Sequence, residues 1–161
     1  MAASPRFQAR LSTPFALLGI RTEGEAIAEI VFLRRDGAAL SPQSRLAERA
    51  CDQIERYVRD PEYCFDLPLA SCGTPFQRRV WGKISAIDAG RTRSYGELAR
   101  ELRSAPRAVG QACGANPLPL VVPCHRVLAA AGIGGFAHHE GGFHLSVKRW
   151  LLAHEGAARA R

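Results

Sequence analysis

The chain changes character at Ser71-Cys72-Gly73, and that break constrains the fold more than any other feature of the sequence. Residues 1–70 carry 9 Lys and Arg against 10 Asp and Glu, a net of −1. Residues 71–161 carry 13 against 5, a net of +8, so the whole positive excess lies in the second part. A chain of 161 residues holds one ordinary domain or two small ones. The break therefore predicts an N-terminal α/β domain over 1–70 and a mainly α domain over 71–161. A neutral part joined to a basic part points to a polyanion, most often nucleic acid, as the partner of the second.

Composition narrows the classes further. Hydrophobic residues make up 47% and charged residues 23%, which excludes a disordered chain. Apolar runs such as Leu118 to Val122 are far shorter than the roughly 18 residues a membrane span needs. The start, Met1-Ala2-Ala3-Ser4-Pro5-Arg6, has no apolar stretch of a secretory signal, so a cytoplasmic location without membrane partners is expected. The five cysteines, Cys51, Cys64, Cys72, Cys113 and Cys124, are odd in number and form no C-x-x-C pair. That argues against a disulfide framework and against a dedicated zinc site. Each thiol is either a small buried hydrophobe or a nucleophile.

Hydrophobic periodicity sets out the elements. Phe15 to Ile20 and Ala26 to Leu33 read as β-strands joined by a turn at Glu23-Gly24-Glu25, a small antiparallel sheet. Arg34 to Ala39 reads as loop. Ser41 and Pro42 predict a helix start, with Leu46, Ala50, Ile54, Tyr57 and Val58 on one face as far as Asp60. Residues 63–69 are extended. After the break, Thr74-Pro75-Phe76-Gln77 is a capping box, and Phe76, Val80, Ile84 and Ile87 form an apolar face that Gly90 ends. Ser94-Tyr95-Gly96-Glu97 is a second capping box, and Ala105-Pro106-Arg107 starts a third helix that runs to about Ala115.

Two short helices in the basic part read as a helix-turn-helix. The second, Arg107-Ala108-Val109-Gly110-Gln111-Ala112-Cys113-Gly114-Ala115, is nearly bare. Glycine in a helix costs about 1 kcal/mol against alanine, so its two glycines need a reason. One is close approach to a narrow surface such as the minor groove, with Arg107 intruding. The other is tight packing against another helix. Next comes Asn116-Pro117-Leu118-Pro119-Leu120-Val121-Val122-Pro123-Cys124-His125-Arg126-Val127, a rigid apolar segment that delivers Cys-His-Arg. A thiol becomes a good nucleophile as thiolate, when a base or cation supports the charge. The dipeptide alone leaves a cysteine hydrolase, a winged helix-turn-helix regulator and a DNA-modifying protein all open.

Pro123-Cys124-His125-Arg126-Val127 resembles the active-site signature of the O6-alkylguanine-DNA alkyltransferases, also called methylated-DNA–protein-cysteine methyltransferases. Further blocks resemble that family in order. They are Gly73 to Gln77, Thr92 to Ala99, Arg107 to Gly110, Asn116 to Pro119 and Trp150 to Gly156. Residues 1–70 resemble the family's first domain only in size and pattern. The resemblance implies a winged helix-turn-helix in the second domain. It also implies a monomer that repairs O6-alkylguanine in double-stranded DNA by one-shot transfer to its own cysteine, and it leaves open whether O4-alkylthymine is a further substrate. Cys124 would accept the alkyl group, His125 would act as base through a water, and Glu155 would orient that histidine. Tyr95 would help rotate the nucleotide out and donate a proton toward guanine, and Asn116 would hold the turn before the active-site segment. Arg107 would fill the gap in the base stack. Thr92, Ser94, Ala108, Gly110, Cys113 and Gly114 would complete the minor-groove surface. Pro119, Val127, Phe136 and Ala137 would line the guanine pocket. No metal and no cofactor is implied. The loop after Gly134-Gly135 is about five residues longer than the family pattern, with Phe136 for the usual tyrosine and Ala137 for the usual serine. His138, His139, His144 and Glu140 read as a solvated loop rather than a metal site.

Overall fold

The computed structural model of the protein describes residues 6–136 and 142–157. It divides into two compact units, Met1–Ser71 and Cys72–Arg161. No described helix is long and apolar enough to cross a membrane.

The first unit is a three-stranded antiparallel sheet in the order β1-β2-β3, with one helix against it. The strands are β1 (Ala9–Ser12), β2 (Leu17–Glu23) and β3 (Ala26–Leu33). The pairing of β2 with β3 runs from Leu17↔Leu33 to Glu23↔Ala26 and shifts between Arg21 and Thr22. The shift re-phases the pleat, so Ile27 on one side of it and Ile30 and Phe32 on the other all turn inward. β1 was not legible as a strand, because four residues that include Arg10 carry little pattern. It is held by pairing with β2 and by Phe7, which packs over Gly19 so closely that a Cβ there would stand 2.4 Å from the ring.

Helix α1 (Arg45–Arg59) starts three residues later than Ser41-Pro42 predicts. The cap is Ser44, whose side chain accepts from the Ala47 amide at 3.1 Å. The preceding residues are committed elsewhere. Leu40 and Arg10 exchange two backbone hydrogen bonds, and the Gln43 amide donates to Gln8 O. A chain paired to β1 cannot also be helical. The face formed by Ala47, Ala50, Cys51, Ile54 and Tyr57 is buried on the sheet, and each larger side chain contributes roughly 1.5–3 kcal/mol. Gln53 grips the outgoing chain by donating to Asp66 O at 2.9 Å and accepting from Asp66 N at 2.8 Å.

The second unit is built on α2 (Pro75–Ser85), α3 (Tyr95–Leu102), α4 (Pro106–Gly114) and α5 (Gly142–His154). Thr74 and Gln77 form both halves of the expected capping box at α2. Ser94 caps α3 by accepting from the Glu97 amide at 3.0 Å. Two short strands, β4 (Arg93–Ser94) and β5 (Val127–Leu128), pair in parallel. This pairing joins the start of α3 to the residues just after Cys124-His125-Arg126. Val80, Ile84, Leu98, Leu102, Val109, Val127, Leu151 and Leu152 form the core beneath them.

Candidate active site

The segment from Asn116 to Pro123 folds back on itself rather than running as a strand. Val122 N donates to Leu118 O, and Leu120 takes a left-handed conformation with φ of 76° while only 3% exposed. A branched residue there is strained, and Asn116 supplies much of what holds it. Its Oδ1 accepts from Leu118 N at 2.9 Å, and its Nδ2 donates to Val122 O at 2.9 Å and to Cys124 Sγ at 3.1 Å. One amide therefore closes the turn and touches the sulfur.

Cys124 opens a single 3-10 turn, Cys124–Arg126, and is 5% exposed. The neighbouring Cys113 thiol, followed by burial, pushes the Cys124 thiol well above the ordinary value, while the Asn116 amide and the Lys148 ammonium pull it down. Cys124 is thus a protonated thiol at rest, with groups in place to support it once the proton leaves.

His125 is fully buried, and its Nε2 stands 2.8 Å from Glu155 Oε2. Its Nδ1 has no hydrogen-bond partner among the described residues. Burial lowers the imidazole below its ordinary value, and Glu155 only partly restores it. A neutral ring that donates from Nε2 leaves Nδ1 as a free acceptor. Glu155 also accepts two hydrogen bonds from Arg126, Nε to Oε1 at 2.9 Å and a terminal nitrogen to Oε2 at 2.8 Å. Burial pushes the Glu155 carboxyl up, but the hydrogen bonds from His125 and Arg126 together hold it well below the usual carboxylate range. Arg126 donates a further bond to Ile87 O at 2.6 Å.

Sequence reasoning passed over two of these residues. Arg126 was read only as part of a signature, yet it neutralises Glu155. Lys148 has 0% exposure and donates to Val127 O at 2.8 Å and Gly135 O at 2.9 Å. Burial lowers it to about 8, against the pull of Cys113 and Cys124. A signal was present: Leu145, Lys148 and Leu152 share core spacing along α5, and a lysine at such a position demands partners.

Tyr95 begins α3, and its hydroxyl lies 3.5 Å from Gly135 O. Burial first, then the two thiols, push the phenol up. Val127 and Phe136 are buried at 0% and 5%, and Pro119 is buried in the folded-back segment. Ala137, His138, His139 and Glu140 lie outside the described residues. Among the described residues no three His, Cys, Asp or Glu side chains converge on a point that could hold a metal ion.

The other candidates fall along α3 and α4. Arg107 is exposed in the first turn of α4, while Thr92, Ser94, Ala108, Gly110 and Gly114 are half-buried. A Cβ on Gly110 would meet nothing within 4 Å, so tight packing inside the protein does not account for that glycine. Cys113, in the last turn of α4, is buried at 7% exposure. The indole of Trp81 donates to Ala112 O at 2.8 Å and ties α2 to α4.

Residues 75–157 match the family described as "6-O-methylguanine DNA methyltransferase, DNA binding domain". The chain belongs to the 6-O-methylguanine-DNA methyltransferase family. It is 50% identical over 109 residues to a methylated-DNA–protein-cysteine methyltransferase of Shigella flexneri, covering 65% of this chain and 61% of that protein. The alignment thus spans under two thirds of that relative's length. The crystal structure of the Mycobacterium tuberculosis O6-methylguanine methyltransferase superposes with a TM-score of 0.77 at 32% identity, over 97% of this chain and 96% of that one. A structure of the M. tuberculosis protein in complex with DNA superposes with a TM-score of 0.73 at 33% identity, over 93% and 94% of the two chains. The sheet-and-helix architecture described above is that of these 6-O-methylguanine-DNA methyltransferases.

Proposed function

We propose that this methyltransferase-family chain repairs DNA by moving the alkyl group from O6 of a guanine in duplex DNA onto Cys124 Sγ, once per molecule. The observation that carries the reading is the arrangement at Cys124. Its sulfur is held by the Asn116 amide, beside a buried His125–Glu155–Arg126 set whose imidazole keeps Nδ1 free.

The chemistry follows from charge. His125 Nδ1 takes the Cys124 proton through a water, and Glu155 stabilises the imidazolium that forms. Arg126 keeps Glu155 ionised in its buried position. The thiolate, supported by Asn116 and Lys148, attacks the alkyl carbon, and the carbon–O6 bond breaks. Guanine leaves more readily as Tyr95 and backbone amides donate to it. Lys148 holds the carbonyls of Val127 and Gly135, which shapes the pocket formed with Pro119 and Phe136. A thioether has no hydrolytic exit, so the protein is consumed.

DNA lies across α3 and α4, with α4 as the second helix of a winged helix-turn-helix approaching the minor groove. Arg107 replaces the flipped base in the stack. Thr92, Ser94, Tyr95, Ala108, Gly110, Cys113 and Gly114 belong to the same surface or its floor. The domain over 71–161 carries binding and transfer and the domain over 1–70 supports it, in a monomer that acts in the cytoplasm. The M. tuberculosis structure with DNA supports this choice of partner.

Intact mass after incubation with excess duplex oligonucleotide bearing one O6-methylguanine tests the reading. One methyl increment, about 14 Da, mapped to Cys124 is expected for a nucleophilic acceptor. Unchanged mass with tight lesion binding would make the chain a recognition module instead.

A further inference from the structure

The first unit carries a pocket that alkyl transfer at Cys124 does not use. It encloses about 460 Å³ and is lined by Arg6, Phe7, Gln8 and Arg10 on one side and by Leu40 and Gln43 on the other. Backbone bonds tie the two walls together. Arg10 and Leu40 exchange N–H···O bonds of 3.0 Å each, and Gln43 N donates to Gln8 O at 2.8 Å. These are the bonds that keep residues 40–43 out of α1, so the second wall exists because the chain forgoes a helical turn there. Phe7 is fixed as well, with its ring over Gly19 and the Arg21 guanidinium 4.3 Å from the ring centre.

Charge in this pocket has one sign. Its lining holds two guanidiniums and no carboxylate. Residues 1–22 include Arg6, Arg10 and Arg21 and no Asp or Glu, so the unit's net of −1 conceals a basic edge. Arg21 is paired with Glu29. Arg10 is placed differently: its Nε is buried and has no hydrogen-bond partner among the described residues. Buried donors are almost always bonded, and a charged one left unpaired is costly. A buried, unpaired guanidinium nitrogen on a residue that lines an open pocket calls for an acceptor from outside the chain.

We propose that this pocket is an anion site that takes a phosphate group between Arg10 and Arg6. The guanidinium is a planar fork, so Arg10 offers Nε and a terminal nitrogen side by side to two oxygens of one anion. Arg6 is exposed at the rim and adds the second positive charge. A phosphate has enough oxygens and enough charge to serve both arginines, whereas a carboxylate is filled by one fork. The tied walls hold the site in shape before the anion arrives, which limits the ordering cost of binding. The phosphate comes either from a free phosphate compound or from a nucleic-acid backbone.

The test follows the guanidinium N–H signals of the full chain by heteronuclear N–H correlation spectroscopy. Arg10→Lys keeps the charge but lacks Nε, so the signal it loses is that of Arg10, and an otherwise unchanged amide spectrum shows that the fold is intact. Inorganic phosphate is then titrated at constant ionic strength. The Arg10 Nε–H signal should move and saturate, and Arg6→Gln, a change at an exposed position, should weaken the apparent affinity about threefold or more. A signal that stays in place, or that moves as far with chloride or acetate, overturns the proposal. So does an Arg6→Gln protein that binds phosphate as its parent does. Undamaged duplex DNA decides the source. If the backbone supplies the phosphate, Arg10→Gln weakens duplex binding and lowers the slope of log affinity against log salt by about 0.9, the contribution of one phosphate. Saturable phosphate binding with duplex affinity and slope unchanged assigns the pocket to a free phosphate compound.

Discussion

Glu155 concentrates more of the site's electrostatics than Cys124 does. It accepts from the buried His125 and from two nitrogens of Arg126. Removing one partner of a buried ionic set leaves the others desolvated and unpaired, which costs about 3–5 kcal/mol. Glu155→Ala should therefore lower unfolding free energy by that order in urea titration, as well as stopping alkyl transfer. Arg126 being 12% exposed favours the lower end. The same residue sets an acid limit. Its folded pKa is depressed, so its stabilisation is full above the unfolded value, about 4.3, and is lost as pH falls below it. The folded pKa of His125 is also depressed, so the unfolded chain takes up that proton first, below about 6.5. Both push the same way. Unfolding free energy should drop in two stages between pH 7 and 3, and an even response across that range would show that neither group is held as described.

The elements show how little local sequence support a helix needs when its neighbours hold it. Helix α4 has no side-chain cap, no acidic first turn and no basic last turn, and it stays in place through α2, α3 and the Trp81–Ala112 bond. Gly110 weakens it further with open space beside it. Gly110→Ala should stabilise the protein by up to about 1 kcal/mol while weakening binding to duplex DNA. Stability from denaturant melts and affinity from fluorescence anisotropy must move in opposite directions; affinity that is unchanged would take Gly110 out of the interface. Arg107, one turn earlier and exposed, makes a different claim. Arg107→Ala should slow repair of duplex O6-methylguanine far more than reaction with free O6-benzylguanine, since a stack-filling residue has nothing to fill without DNA. Equal losses on both substrates would remove the finger role.

At the scale of the whole molecule, charge and chemistry sit in the same unit. Residues 71–161 hold the net of +8, and the first unit is nearly neutral. Binding driven by phosphate contacts weakens linearly with the logarithm of salt, by about 0.9 per phosphate neutralised. Affinity for undamaged duplex should therefore fall steeply between 50 and 200 mM salt. A flat response would mean that the basic excess is a solvated face rather than a binding one.

Periodicity and caps determined most of the elements from the sequence alone. Thr74, Ser94 and Pro106 mark three helix starts, and β2, β3 and the break at residue 71 were readable from alternation and charge. These signals are local, and local hydrogen bonds enforce them. The start of α1 was misread because backbone pairing with β1, a tertiary contact, overrode a good local cap at Ser41. The site divides in the same way. Motif resemblance named Cys124, His125 and Glu155 as candidates, and packing sets His125 against Glu155. The Arg126–Glu155 pairing and the bonds of the buried Lys148 to Val127 and Gly135 join residues 13 to 29 positions apart. Only packing brings such groups together, and only burial makes their charges matter, because water would otherwise screen them.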